Sequence, residues 1–151
     1  MRMVGVVFFA LGIEVMAASP GWAQDAAAGE KVFAQCRACH QIGETAKNAV
    51  GPILNGVIGR KAGSIAGFSY SDANKNSGIT WDEATFRDYI KDPKAKIPGT
   101  KMIFPGVKDP KQIDDLVAYL KQFDATGKKT SSLAIGKKLV MRDRAVDDDS
   151  E

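Results

Sequence analysis

Apolar residues recur at helical spacing in two well-separated stretches of the chain. In the later one Ile113, Leu116, Val117 and Leu120 fall three and four apart, so a helix there presents one apolar stripe. Asp109 and Pro110 open it, a capping acceptor followed by the residue best tolerated in a first helical turn. In the earlier one, "TWDEATFRDYIKDP", Phe86, Tyr89 and Ile90 share a face. Thr80 and Glu83 are spaced as a capping box there, and Pro93 closes the element. A third helix is predicted from Asp25 through "DAAAGEKVFAQCRACHQI", with Asp25 as N-cap and Val32 and Phe33 on its apolar side. Residues 41–79 are rich in Gly, Asn and Ser and read as loops, with a short helix around 71–76 stopped by Gly78. Segment 92–110 holds four prolines in 19 residues and is expected to be neither helix nor central strand. Period-two alternation is almost absent and no internal repeat is present. The fold class is therefore all-α, three main helices joined by long loops.

Both ends of the chain break this pattern. Arg2 precedes the apolar run "MVGVVFFALGI", and small and turn-forming residues follow in "AASPGWA". Residues 1–23 are read as a signal peptide, cleaved near Ala23 to leave Gln24 first. A spanning helix needs about 20 apolar residues, and Glu14 leaves this run too short, so export to the periplasm is expected rather than stable membrane insertion. At the other end, residues 126–151 carry six basic residues and then "DDDSE". This reads as a polar, mostly disordered tail. The domain is assigned to 24–125. A net charge of +3 gives no reason to expect nucleic acid as a partner.

The apolar content of 24–125 is thin for so much irregular backbone, and a large buried prosthetic group would supply the missing core. Candidate chemistry is concentrated at "CRACH". The chain's two cysteines and its one histidine, Cys36, Cys39 and His40, all fall within these five positions. Three readings compete. A structural zinc site needs about four ligands, and no second cluster is present. A redox dithiol is expected in a βαβ setting, which the pattern lacks. Covalent haem attachment uses all three residues: two thiols form thioethers to the porphyrin, and the imidazole reaches the iron from the same side. His40 is then the axial ligand on one side. For the other side, loss of the signal leaves only Met102 and Met141 as thioether donors. Met141 lies in the polar tail, whereas Met102 lies in a loop confined by Pro98, Gly99, Pro105 and Gly106. Met102 is the expected ligand.

With these residues in view, the chain resembles the small class I c-type cytochromes of the mitochondrial and alphaproteobacterial kind over about residues 24–125. The resemblance is carried by "GEKVFAQCRACH", "GPILNGVIGRKAG", "GFSYSDANK", "ITW" and above all "PGTKMIFPG". It implies the cytochrome c fold, with three main helices and long loops wrapped around one covalent haem c. Terminal helices would cross near Gly29, Phe33 and Tyr119. It also implies that the Pro52 carbonyl accepts a hydrogen bond from the outer nitrogen of His40. Arg60, Tyr70, Asn74 and Trp81 would surround the haem propionates, and Tyr89 and Thr100 would sit near the Met side.

The implied function is one-electron transfer by a periplasmic monomer, not enzymatic turnover, since two protein ligands leave the iron no position for a substrate. Lys31, Lys94, Lys96, Lys101 and Lys108 flank the ligand-bearing segments and are expected to dock transiently on acidic membrane redox complexes. The implied route runs from a cytochrome bc complex to a terminal oxidase or a photosynthetic reaction centre. The alternatives are a dedicated electron-accepting subunit of a periplasmic dehydrogenase, and a haem enzyme or gas-binding protein if Met102 does not coordinate.

Overall fold

A computed structural model describes residues 24–130. The signal-peptide reading of 1–23 and the tail reading of 131–151 lie outside the described residues. Helix α1 spans Ala26–Phe33, and the Asp25 carboxylate caps it by accepting from the Ala27 and Ala28 amides at 2.8 and 3.1 Å. The helix stops well short of the predicted extent. From Ala34 the amides bond three residues back, Cys36 to Phe33 at 2.8 Å among them. Farther on, the segment pairs with a distant loop: Cys39 O accepts from Gly51 N at 2.8 Å and Gln41 O from Leu54 N at 2.9 Å. Cys36 to His40 is therefore a run of turns with one helical bond, His40 N to Cys36 O at 2.9 Å.

Helix α2, Asp72–Lys75, is capped by Ser71, close to the expected 71–76. Helix α3 spans Glu83–Lys91, but its cap is Asp82, not Thr80. Asp82 accepts from the Thr85 amide at 2.8 Å and its hydroxyl at 3.1 Å. Thr80 is instead held in an isolated bridge to Lys61, and Glu83 pairs with Arg87 and Lys121. Segment 92–110 also departs from expectation, since a helical turn, α4, occupies Pro93–Lys96. Pro93 starts it because a first-turn residue needs no amide proton, and Asp92 caps it by accepting from Ala95 N at 3.1 Å. Helix α5, Pro110–Leu120, begins at the predicted Asp109–Pro110 pair.

The apolar faces converge as the spacing requires. Phe33 of α1, Phe86 and Ile90 of α3, and Ile113, Leu116, Val117 and Leu120 of α5 are all buried. Removing each from water stabilises the fold by about 1.5–3 kcal/mol. Helices α1 and α5 pack closely at Gly29, where an added Cβ would fall 1.9 Å from the Asp115 carbonyl oxygen. The Phe33 and Tyr119 rings lie 5.2 Å apart beside this crossing. Asp115, itself buried, accepts from Asp25 N at 2.9 Å and from Lys111 Nζ at 2.8 Å, joining the start of α1 to α5. Among the described residues only isolated bridges of β type occur, Lys61 with Thr80 and Phe123 with Lys129. No described helix is long and apolar enough to cross a membrane. Residues 126–130, assigned from sequence to the tail, pack against the domain.

Candidate functional site

The turns after α1, the loop 50–57, the segment 68–74, helix α3 and the loop 100–104 enclose a cavity of about 450 Å³. Its floor is apolar: Leu116 and Leu120 of α5 with Phe86 and Ile90 of α3. Cys36, Cys39 and His40 line one part of the wall and Met102 another. Pro52, Arg60, Tyr70, Asn74, Trp81, Tyr89 and Thr100 complete it, so every pocket residue expected from the sequence borders this one space.

His40 is fixed from two sides. Its Nδ1–H donates to the Pro52 carbonyl at 2.7 Å, leaving Nε2 without a proton. Gly51 lies flat against the ring, where a Cβ would approach Cε1 at 2.3 Å and Nδ1 at 2.6 Å. Burial lowers the imidazole pKa, the Pro52 bond opposes this, and the Arg60 charge adds to the lowering. The neutral ring with a bare Nε2 is the form that binds a metal. Cys36 is pushed up to about 11, first by burial and then by Cys39. A redox dithiol needs the opposite shift, toward thiolate at neutral pH. Both cysteines are free of disulfides.

The Met102 loop is held at each end. Thr100 N donates to Ile97 O at 3.0 Å and Val107 N to Ile90 O at 2.9 Å. Gly106 has φ +91°, and a Cβ there would fall 2.0 Å from the Lys91 carbonyl oxygen, so the loop can dock on α3 only without a side chain. Met102 N donates to Thr100 Oγ1 at 3.2 Å, and the Tyr89 hydroxyl donates to the Met102 sulfur at 3.1 Å. Tyr89 is buried beside Trp81, ring centroids 4.7 Å apart, and burial raises its pKa against an opposing bond with Thr100.

The wall fits a large cofactor with polar appendages. The buried Oδ1 of Asn74 has no hydrogen-bond partner within the protein. Such an orphan costs about 1–3 kcal/mol, so this corner is built against a group bearing polar atoms of its own. Arg60 donates to Asn55 O at 2.6 Å and Ile53 O at 3.1 Å, holding a cation in the wall while tying down the loop below His40. Its pKa is lowered by burial.

The expected lysines are less uniform. Only Lys101 lines the cavity. Lys31, Lys94, Lys96 and Lys108 are exposed elsewhere; Lys96 pairs with Asp88 at 3.7 Å and Lys108 donates to the Lys91 carbonyl. Two rim residues had no sequence signal. Val50 and Ile103, 78% and 89% exposed, both border the cavity mouth.

A helical domain folded around such a crevice, with C-x-x-C-H in its wall, defines a covalent-haem protein. The family model for cytochrome c matches residues 26–124. Cytochrome c2 of Blastochloris viridis is 67% identical over 120 residues, spanning 78% of this chain and 94% of its own. Cytochrome c-550 of Bradyrhizobium diazoefficiens is 65% identical over 103 residues, 68% of this chain and 76% of its own. Among solved structures, cytochrome cH from Methylobacterium extorquens superposes with a TM-score of 0.61 at 58% identity, covering 64% of this chain and 97% of that one. Cytochrome c2 from Rhodospirillum centenum does so with 0.64 at 41% identity, covering 66% and 98%. The chain belongs to the cytochrome c family. Its cofactor is one covalently attached haem c, and its class of activity is electron transport.

Proposed function

We propose that the mature chain is a soluble periplasmic one-electron carrier with His40 and Met102 as the axial ligands and Cys36 and Cys39 as the thioether anchors. The observation that carries this reading is that the only histidine, both cysteines and Met102 border one cavity. Haem bound there supplies a one-electron change at iron. The chain's own residues do the rest. Pro52 holds the imidazole's tautomer and raises its basicity, while Tyr89 withdraws electron density from the Met102 sulfur and orients it. Arg60, Tyr70, Asn74 and Trp81 receive the propionates, which need donors in a buried wall. With the backbone tied on both sides of the ligands, little has to move when the charge changes.

Docking is proposed at the crevice mouth. Val50 and Ile103 offer a small apolar contact, and Lys101, with Lys31, Lys94, Lys96 and Lys108 farther out, supplies a positive field for an acidic complex. A small contact suits a carrier that must leave quickly. The route proposed runs from a cytochrome bc complex to a terminal oxidase or a photosynthetic reaction centre, with the chain acting as a monomer and catalysing no reaction of its own.

The ligand assignment is tested by the near-infrared absorption band of Met-ligated ferric haem. Met102→Ala is expected to abolish the band, lower the reduction potential and admit cyanide or azide. Met141→Ala should change none of these. Equal behaviour of the two variants would overturn the assignment.

A further inference from the structure

The turn that follows α5 reaches the loop that carries Pro52. We infer that residues 124–130 form a strap that positions loop 41–57, and through it the Pro52 carbonyl against His40, with Asp124 and Gly127 as the positioning residues. The inference rests on the role proposed for His40.

The strap is closed on itself and on the end of α5. Asp124 Oδ1 accepts from Thr126 N at 2.8 Å, Lys128 N at 3.0 Å and Thr126 Oγ1 at 2.7 Å. Asp124 N donates to Lys128 O at 3.1 Å, Gly127 N to Asp124 O at 3.0 Å, and Thr130 N to Gln122 O at 2.7 Å. Lys129 lies over the Phe123 ring, 5.4 Å from its centroid. This many local bonds make the segment a stiff body rather than a trailing end.

That body is seated on the far loop. Gly127 is buried at φ +84°, and a Cβ there would fall 2.1 Å from Gly43 O and 2.6 Å from Asn55 Nδ2. A Cβ on Gly56 would come within 3.0 Å of the Ala125 backbone. Beneath the strap, buried Asn55 clasps Gly43 with both ends of its amide. Oδ1 accepts from Gly43 N at 2.8 Å and Nδ2 donates to Gly43 O at 3.0 Å. This clasp fixes the two limbs of the loop at a set spacing. The Cys39–Gly51, Gln41–Leu54 and His40–Pro52 bonds lie between the same limbs. Without the strap the Asn55–Gly43 pair faces water, which competes for both bonds, and the limbs can separate.

The test compares holoproteins ending after Phe123 and after Thr130 with the full chain and with Asp124→Ala. Hydrogen exchange is followed by NMR at His40 Nδ1–H, the Leu54 amide and, as a report of global opening, the Val117 amide. Ending the chain after Phe123 is expected to speed exchange at His40 and Leu54 by about tenfold beyond any change at Val117, the factor one lost hydrogen bond supplies. Asp124→Ala should give a selective effect of about threefold, and it decides the matter if the shorter chain does not fold. Ending after Thr130 should leave exchange unchanged. A weaker Pro52 bond makes the imidazole less basic, so the reduction potential should rise with the selective effect. Acceleration that merely matches Val117, or none, would overturn the strap. Selective exchange with an unmoved potential would support the strap and count against the place proposed for His40 on the iron.

Discussion

Adding a single methyl group at Gly51 should displace the His40 ring. Gly51 is absent from the glycines with positive φ, so alanine meets no backbone penalty there. The obstacle is steric: the new Cβ would stand 2.3, 2.6 and 2.8 Å from three ring atoms, against about 3.5 Å for an ordinary contact. Ring or backbone must yield by roughly 1 Å. The ring is pinned to Pro52 at 2.7 Å and Gly51 N to Cys39 O at 2.8 Å, so a shift of that size takes one of these bonds out of range. Overpacking costs about 1–3 kcal/mol and a lost hydrogen bond about 1 kcal/mol. Restricting the unfolded chain returns roughly 0.5–1 kcal/mol. Gly51→Ala should therefore lose about 2–3 kcal/mol in urea melts of the holoprotein and lower Tm by about 10 °C. The His40 Nδ1–H resonance should shift or broaden with it. Gly78→Ala is the control: φ is +69° with open space around it, so alanine costs about 1–2 kcal/mol through the backbone alone. It should leave the His40 signal untouched. A Gly51→Ala protein with wild-type stability and an unchanged imidazole signal would refute the steric argument.

Two further outcomes are expected. The Asp115 carboxyl is held below its ordinary value, chiefly by Lys111 and then by the Asp25 amide, so its contribution is complete above about pH 4 and fades as pH falls through the depressed pKa. Asp115→Asn should be less stable than the wild type by about 1 kcal/mol at neutral pH, with the gap closing in acid; a gap independent of pH in urea melts would argue against the ion pair. Among the described residues Lys31, Lys94 and Lys101 make no ion pair, whereas Lys96 is engaged. Reversing the first three charges should slow oxidation by a membrane acceptor several-fold at low ionic strength and lose its effect at high salt, where screening shortens to roughly 3 Å. A rate indifferent to both would remove electrostatic docking and leave the haem chemistry standing.

The chemistry of this protein is legible in short-range spacing. Two thiols and an imidazole in five residues need no distant partner to be recognised, because one haem engages them together. Met102 followed by elimination among few thioethers. Helix α5 was readable in the same way: Asp109 and Pro110 act on their own first turn, and its apolar stripe repeats with the helix. What the spacing left undecided depends on competition between distant groups. Helix α1 ends at Phe33, and the residues beyond it turn to meet a distant loop, Cys39 O accepting from Gly51 N and Gln41 O from Leu54 N. Asp82 caps α3 in place of Thr80 because Thr80 is held against Lys61. Residues 126–130 read as tail by composition, yet Gly127 finds a seat on Gly43 and Asn55 that only the folded loop provides. Which glycine makes room for the His40 ring likewise belongs to the tertiary structure. Steric clearance and hydrogen bonds between separate loops are properties of atoms far apart in sequence.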